Sequence, residues 1–188
     1  MPAASLTTTI PILDTSRLKL RAHCLADFPN CARLWADPVV TKFITGIPLT
    51  EEESWARLLR YVGHWTLFGF GYWVIEEKLS GAFLGEGGFQ ENQRDIEPSL
   101  KGMLETGWVF LPSAHGKGYA TEAVLAMHEW KDANLPEKRV CCIIDQPNLA
   151  SLRVAEKCGY QEIAGAEYKG ASVRVFHRAP GIRMSGGA

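Results

Sequence analysis

The chain has 188 residues, enough for one domain that buries roughly 70% of its unfolded surface and needs neither disulfides nor a metal to hold a core. Its composition, 46% hydrophobic and 22% charged, is that of an ordinary globular protein and excludes a chain that is disordered throughout. The formal net charge is −1 and the Lys and Arg residues are spread along the chain, so we expect no nucleic-acid partner.

Cysteine usage and segment hydrophobicity indicate the compartment. The five cysteines are odd in number and form no C-x-x-C pair, which predicts neither a disulfide framework nor a zinc site, and we expect no other metal. No stretch approaches the length of a membrane span, and residues 1–13 lack the features of a signal peptide. We therefore expect a soluble, cytoplasmic protein without a membrane partner.

The first part of the chain predicts one strand followed by two helices. Residues 1–13 are rich in Thr and Ala and are expected to be loosely ordered. Residues 17–22 alternate polar and apolar side chains as a strand does, and residues 27–37 have a helical spacing that stops at Pro38. Thr50 and Glu53 form a capping box at the start of a second helix. The expected apolar stripe of that helix consists of Trp55, Leu58, Leu59 and Val62.

From residue 71 onward, short apolar runs indicate strands and longer periodic segments indicate helices. Strands are predicted at residues 72–76, 82–89, 103–110, 139–145, 160–164 and 173–178, with one helix after Gly118 and another at residues 149–158. Residues 179–188 are expected to be a flexible tail. The predicted order is β-α-α-β-β-β-α-β-α-β-β, in one α/β domain over residues 14–178.

The segment with the most chemical information runs from Phe110 to Ala123, F-L-P-S-A-H-G-K-G-Y-A-T-E-A. A strand leads into a glycine turn and the turn leads into a helix, whose first N–H groups have no partner in the helix and favour an anion. Gly116 and Gly118 let a phosphate approach the backbone closely, and Lys117 adds positive charge. The same glycines also fit a tight connection that binds nothing. Neither a P-loop nor a complete Rossmann fingerprint is present.

This segment resembles the coenzyme A signature of the GNAT acetyltransferases, (Q/R)-x-x-G-x-(G/A), with His115 standing at the position of Gln or Arg. Its continuation is similar to the RimJ/RimL branch, which acetylates protein N-termini and related amines. Residues 148–160, N-L-A-S-L-R-V-A-E-K-C-G-Y, and residues 15–21, T-S-R-L-K-L-R, resemble two further blocks of that branch. The resemblance covers residues 14–178.

The resemblance implies a GNAT-type α/β fold, in which a mixed central sheet of about seven strands is flanked by about four helices. It also implies acetyl-CoA as co-substrate. Strands 105–110 and 139–145 would splay apart, so that their unpaired backbone groups bind the pantetheine arm, and the diphosphate would rest on residues 115–120. The cofactor-binding residues implied in this way are Trp108, Val109, Phe110, His115, Gly116, Lys117, Gly118, Tyr119, Ala120, Thr121, Asn148 and Ser151.

Two polar residues after the second splayed strand have alternative interpretations. Asn148 would bond the pantetheine or hold its loop, but Asn is also a favoured N-cap for the helix that begins at Leu149. The resemblance makes Ser151 the acid that protonates the leaving thiolate, whereas a hydroxyl in the first turn of a helix also bonds to backbone. The sequence leaves both pairs of alternatives open.

A base is needed to take the proton of the attacking amine, and three candidates remain. Glu105 is the first, because it begins the strand that lines the cofactor gap and has no nearby cation in the sequence; it also fits a solvated carboxylate at a strand edge. Glu86 is the second, because its neighbours Gly85 and Gly87 are small enough to leave room for a substrate. Water alone is the third, since neutralising an α-amine at pH 7 costs roughly 1.4 kcal/mol, against roughly 4.6 for a lysine side chain.

The predicted function is transfer of an acetyl group from acetyl-CoA to a primary amine, by direct attack without an acyl-enzyme. The acceptor is a small molecule or a peptide, including a protein N-terminus, selected by residues 37–50 and 90–100. Trp35, Phe43, Trp55 and Trp65 either line its pocket or pack in the core. The alternatives are a catalytically silent acyl-CoA-binding sensor or interaction module, and a kinase or dehydrogenase with an irregular phosphate loop. We expect a monomer or a homodimer.

Overall fold

The computed structural model describes residues 9–179 and arranges them in one mixed sheet of eight strands with five helices. The strands are β1 (Leu13–Asp14), β2 (Leu18–Arg21), β3 (Tyr72–Glu77), β4 (Phe83–Gln90), β5 (Leu104–Phe110), β6 (Val140–Asp145), β7 (Tyr160–Tyr168) and β8 (Ala171–Arg178). The helices are α1 (Phe28–Trp35), α2 (Pro38–Thr41), α3 (Glu51–Phe68), α4 (Tyr119–Asn134) and α5 (Leu149–Lys157). The order of strands across the sheet is β1-β2-β3-β4-β5-β6-β8-β7. The expected α/β class and mixed sheet are confirmed.

Two short elements were not expected from the sequence. β1 has two residues and pairs with β2, and just before it the Pro11 carbonyl accepts a hydrogen bond from Trp73 Nε1 at 2.9 Å. α2 begins at Pro38, the residue that also ends the preceding helical pattern, because the Asp37 side chain caps the new turn by accepting from the Val39 amide. Residues 1–8 of the expected loose segment and residues 180–188 of the expected tail lie outside the described residues.

The long helix α3 begins at the predicted capping box but buries a different face. Thr50 Oγ1 accepts a hydrogen bond from the Glu53 amide, as expected. The predicted stripe is wrong for three of its four members, which are 38–49% exposed: Trp55, Leu59 and Val62. The buried face is made of Ser54, Leu58, Tyr61 and Trp65. This face follows the helical spacing i, i+4, i+7 and i+11 but includes a Ser, which a count of apolar residues passes over.

The two faces of the sheet are covered by different helices. Ala123, Val124 and Met127 of α4 are fully buried in the main core cluster, which also contains Phe110 of β5. Val109, which points to the opposite face, packs with Leu34 and Trp35 of α1 in a separate cluster. β5 is therefore enclosed between two layers of helices. Within residues 9–179, no helix has the length and apolarity needed to cross a membrane.

Candidate functional site

A cleft opens in the sheet between β5 and β6. These parallel neighbours pair only over their first two residues, Leu104 with Val140 and Glu105 with Cys141, so the predicted splay is confirmed. From this last pair onward, a cleft of about 730 Å³ is lined by residues 105–109 of β5 and 142–145 of β6. Backbone groups on the two facing edges need hydrogen-bond partners there, and an extended ligand with amide groups can supply them.

At the carboxyl end of β5 the chain enters α4 through Gly116 and Gly118, whose φ angles are 74° and 81°. Within residues 9–179, no hydrogen bond engages the backbone amides of residues 116–118, and no side chain caps α4. A Cβ on Gly116 would meet no atom within 4 Å, so the space in front of the turn is open. His115 turns away, with its Nε2 3.0 Å from the Phe110 carbonyl oxygen. The turn thus presents free N–H groups at a helix start, which suits an anion.

The implied cofactor residues fall into two groups. Trp108, Val109, Asn148 and Ser151 line the cleft. Phe110, which is buried, and residues 115–121 do not line it. The cleft and the glycine turn are therefore not one cavity: the cleft lies along β5, and the turn follows in the connection from β5 to α4.

A hydrogen-bonded network fixes the turn to the segment before β2. Arg17 donates from Nη1 to the Lys117 carbonyl oxygen at 2.9 Å and from Nε to Glu122 Oε2 at 2.7 Å. Glu122 Oε1 also accepts from Thr15 Oγ1, Ser16 Oγ and the Arg17 amide. Burial acts to raise the pKa of Glu122, but these hydrogen bonds outweigh it and lower the pKa to about 2. The sequence did not reveal this network, because its members lie in two separate family-like blocks.

Glu105 lies in the cleft, where β5 and β6 begin to separate, and it is ion-paired. Arg94, from the loop between β4 and β5, donates from Nε to Glu105 Oε2 at 2.6 Å and from Nη2 to Oε1. The expectation that Glu105 has no cation nearby is wrong, because folding brings Arg94 to it from 11 residues away. With both oxygens engaged, proton transfer to Glu105 has to compete with a bidentate ion pair.

Glu86 is fully buried and does not line the cleft. Its Oε2 accepts a hydrogen bond from Trp35 Nε1 at 2.8 Å, and its Oε1 lies 3.2 Å from His23 Nε2. The expectation that Gly85 and Gly87 leave room for a substrate is wrong, because a Cβ on Gly85 would lie 2.1 Å from a backbone carbonyl oxygen of β5. The small residues instead let β4 and β5 approach closely.

His23 and Cys31 complete a buried polar cluster around Glu86, with ligand-type atoms within 4.8 Å of one another. Burial acts to raise the pKa of Glu86, but hydrogen bonds from His23, Cys31 and Trp35 outweigh it and keep the pKa below its ordinary value. The donor types are those of a metal site, but in the described structure these side chains bond to Glu86 itself. Glu86 therefore joins α1 to the sheet and lies outside the cleft lining.

Asn148 and Ser151 are brought together at the start of α5. Asn148 Oδ1 accepts a hydrogen bond from the Ser151 amide at 3.2 Å, which is the predicted N-cap. Both side chains also line the cleft, so the cap leaves the role toward a ligand open for each of them.

Of the four aromatic residues considered for a pocket, two line the cleft and two do not. Trp35 and Phe43 line it. Trp55 instead packs edge-on against Phe28, with ring centroids 5.1 Å apart. Trp65 is 2% exposed and belongs to the main core. The cleft therefore takes one of these four aromatic residues from α1 and one from the segment after α2, and its other aromatic lining residues are Tyr72, Trp108 and Tyr168.

Comparisons with known proteins agree with this architecture. The N-acetyltransferase p20 of Bacillus licheniformis is 27% identical to this chain over 151 residues, which are 80% of this chain and 82% of p20. The solved structure of a GnaT-family acetyltransferase from Bordetella pertussis is 29% identical with a TM-score of 0.81, covering 90% of this chain and 100% of that chain.

A more distant structure shares the fold. It is RimL, a ribosomal L7/L12 α-N-protein acetyltransferase in complex with coenzyme A, at 16% identity and a TM-score of 0.73, covering 90% of this chain and 98% of that chain. The family model for the acetyltransferase (GNAT) domain matches residues 17–161, most of the chain. The chain therefore belongs to the GNAT family of acetyltransferases, which confirms the predicted class of enzyme.

Proposed function

We propose that this acetyltransferase moves an acetyl group from acetyl-CoA to a primary amine, as the RimJ/RimL-like branch does. The observation that carries the proposal is the separation of β5 from β6 beside an open glycine turn. Pantetheine would lie along the strand edges and bond to their backbone, while the diphosphate would bind the free N–H groups of residues 116–118. Coenzyme A bound to RimL, which shares the fold, supports the same choice of ligand.

The chemistry is a direct displacement at the thioester carbon. The amine nitrogen forms a bond to that carbon, the C–S bond breaks, and the sulfur leaves as a thiolate that takes up a proton. Ser151 lines the cleft in the first turn of α5 and is the candidate donor of that proton. Holding the amine and the thioester in one cleft supplies much of the rate, because it replaces a bimolecular encounter by positioning.

The proton of the amine needs an acceptor, and the structure changes the order of the candidates. Glu86 is outside the cleft and Glu105 is paired with Arg94. Asp145, at the end of β6, lines the cleft and forms no ion pair among the described residues, and burial raises its pKa. A carboxylate with a raised pKa accepts protons better near neutral pH, so Asp145, acting through water, is the proposed acceptor. Asp145 was not predicted from the sequence, because its only local signal there is its place as the last residue of a strand.

The alternative is an acyl-CoA-binding module without catalysis, which the pairing of Glu105 and the burial of Glu86 favour. The test is release of free coenzyme A from acetyl-CoA in the presence of amines, with the acetylated amine identified by mass spectrometry. Turnover that requires an amine supports the transferase. Tight binding of acetyl-CoA without turnover on any amine supports the silent module. Stabilisation by ATP or NAD in place of acetyl-CoA contradicts both.

A further inference from the structure

The cleft is lined by more cationic side chains than carboxylates. Five cationic side chains and two carboxylates contribute to the lining. The cations are Lys42, Arg57, Arg60, Arg94 and Lys169, and the carboxylates are Glu105 and Asp145. Arg94 is neutralised by its bidentate pair with Glu105. Among the described residues that line the cleft, Asp145 is then the one carboxylate that remains beside four cations, and Glu53, which interacts with Arg57 from the preceding turn of α3, lies outside the lining.

Arg57 of α3 is held in place but lacks a full set of hydrogen bonds. Its guanidinium lies 3.7 Å from the centroid of the Trp35 ring, a stacked position that fixes its direction. Its Nε is buried and has no hydrogen-bond partner among the described residues. Leaving a buried donor unpaired costs about 1–3 kcal/mol, more when the group is charged, so this donor favours a ligand that accepts a hydrogen bond.

Gln90 gives a second, independent indication. Its side chain is only 6% exposed, it lines the cleft, and its Nε2 likewise has no partner among the described residues. Gln90 is paired with Glu105 across β4 and β5, so both side chains point to the same face of the sheet. Two buried N–H donors therefore face one cleft without acceptors.

Arg60 lies one turn after Arg57 on α3 and also lines the cleft. It forms no ion pair among the described residues. Although much of the Arg60 side chain is exposed, desolvation of its charged group at the cleft, followed by repulsion from Arg57 and Arg94, lowers its pKa. Like charges held this close are stabilised by an anion that binds between them.

This group of cations is separate from the proposed diphosphate site. Arg94 is fixed at the beginning of β5 through Glu105, whereas the glycine turn follows the end of β5. The five residue steps of strand from Glu105 to Phe110 span roughly 17 Å. The cations of α3 are therefore free to bind the amine substrate that accepts the acetyl group, because the diphosphate does not occupy them.

We propose that the acetyl acceptor is a primary amine that also carries a carboxylate, bound by Arg57 and Arg60 with a hydrogen bond from Gln90. This inference rests on the proposed function and names the substrate class of the same site. A planar carboxylate matches the fork of a guanidinium, and a polyamine would be repelled. The carboxylate belongs either to a free amino acid or to an acidic side chain near the N-terminus of a peptide.

The test compares amines that differ only in this charge. One pair is γ-aminobutyrate and its primary amide, and the other is a short peptide with Glu or Gln as its second residue. Spermidine serves as the cationic acceptor. We expect kcat/KM for each acid to exceed that for its amide by about tenfold or more, as expected for a charge-assisted hydrogen bond. The pair with the larger ratio identifies the source of the carboxylate.

Variants connect the preference to α3. Arg57→Gln and Arg60→Gln should each raise KM for the acid by about tenfold and reduce the ratio of acid to amide, with KM for acetyl-CoA unchanged. Arg33→Gln, an exposed cation on α1 outside the cleft lining, is the matched control and should change neither KM. Arg60 is itself exposed, so its replacement tests the inference even where Arg57→Gln lowers stability.

Acid and amide used equally well, or spermidine preferred, overturns the inference while the transferase proposal stands. An acid preference that survives in both α3 variants also overturns it. Absence of transfer to every amine, despite acetyl-CoA binding, removes the proposed function and this inference together.

Discussion

Replacing Glu122 by Gln should destabilise the protein at neutral pH and have progressively less effect in acid. The pKa of this carboxyl falls from an ordinary 4.5 to about 2 in the folded protein, which at 1.36 kcal/mol per pK unit corresponds to about 3 kcal/mol. The side chain of its partner Arg17 is 47% exposed, so solvent screens part of the interaction. We therefore expect a loss of about 1–2 kcal/mol, or a fall in Tm of roughly 2–8 °C for a chain of this size.

The pH dependence has a definite sign. Because the pKa of Glu122 is depressed by folding, its contribution is complete above pH 4.5 and is lost as the pH falls toward about 2. Urea unfolding of the parent and of Glu122→Gln, from neutral pH to about pH 3, measures the difference. Glu162→Gln breaks an exposed pair with Arg174 and should have a much smaller effect. A loss from Glu122→Gln that is the same at both ends of the pH range would refute the reasoning.

Three further predictions concern the strands, the cap and the base. Gly85→Ala should lower the free energy of unfolding by about 2–4 kcal/mol, measured by thermal unfolding, because its Cβ would lie 2.1 Å from a carbonyl oxygen. Gly63→Ala is the control: a Cβ there meets nothing within 4 Å, so this variant should raise the free energy of unfolding by about 0.5–1 kcal/mol. Asn148→Ala should lower the free energy of unfolding by about 1 kcal/mol, because the N-cap of α5 is lost. A raised KM for acetyl-CoA in this variant would show that the Asn148 side chain also contacts the cofactor. Asp145→Asn should lower kcat about 100-fold. It should also abolish the fall in activity at acid pH; in the parent, the midpoint of that fall lies above pH 3.8, because the pKa of Asp145 is raised. Glu105→Gln should keep the fall in activity at acid pH. If Glu105→Gln abolishes that fall and Asp145→Asn keeps it, the base is Glu105.

The sequence was sufficient for features that depend on neighbouring residues. The capping box at Thr50, the glycine turn and the strand after residue 103 each have a local signal, and each lies where predicted. The splay of β5 from β6 came from the resemblance, because nothing in either strand alone marks the point where pairing stops.

Contacts between distant parts of the chain could not be predicted in this way. Arg17 reaches Glu122 across 105 residues, and the charge of Glu105 is balanced from a loop whose path the sequence does not specify. No local pattern in the sequence marked Arg57 and Arg60 on α3 as residues of a binding site. Only the packing of α3 against α1 and the sheet shows that Arg57 is stacked on Trp35 inside a cleft.

The central claim is that the free N–H groups of residues 116–118 bind the diphosphate of acetyl-CoA. Gly118 and Gly102 have nearly the same positive φ, 81° and 78°, so a Val at either position is strained by a similar amount, about 1–2 kcal/mol. Gly102 is exposed and lies outside the cleft lining, which makes Gly102→Val the matched control.

The most direct measurement is the change in Tm on adding acetyl-CoA to the parent and to both variants. Ligand at about 100 times its dissociation constant should stabilise the parent by roughly 2.7 kcal/mol, or roughly 5–11 °C. We predict that Gly102→Val keeps this shift and that Gly118→Val loses it. An equal shift in Gly118→Val and the parent would contradict the placement of the diphosphate and with it the account of the site.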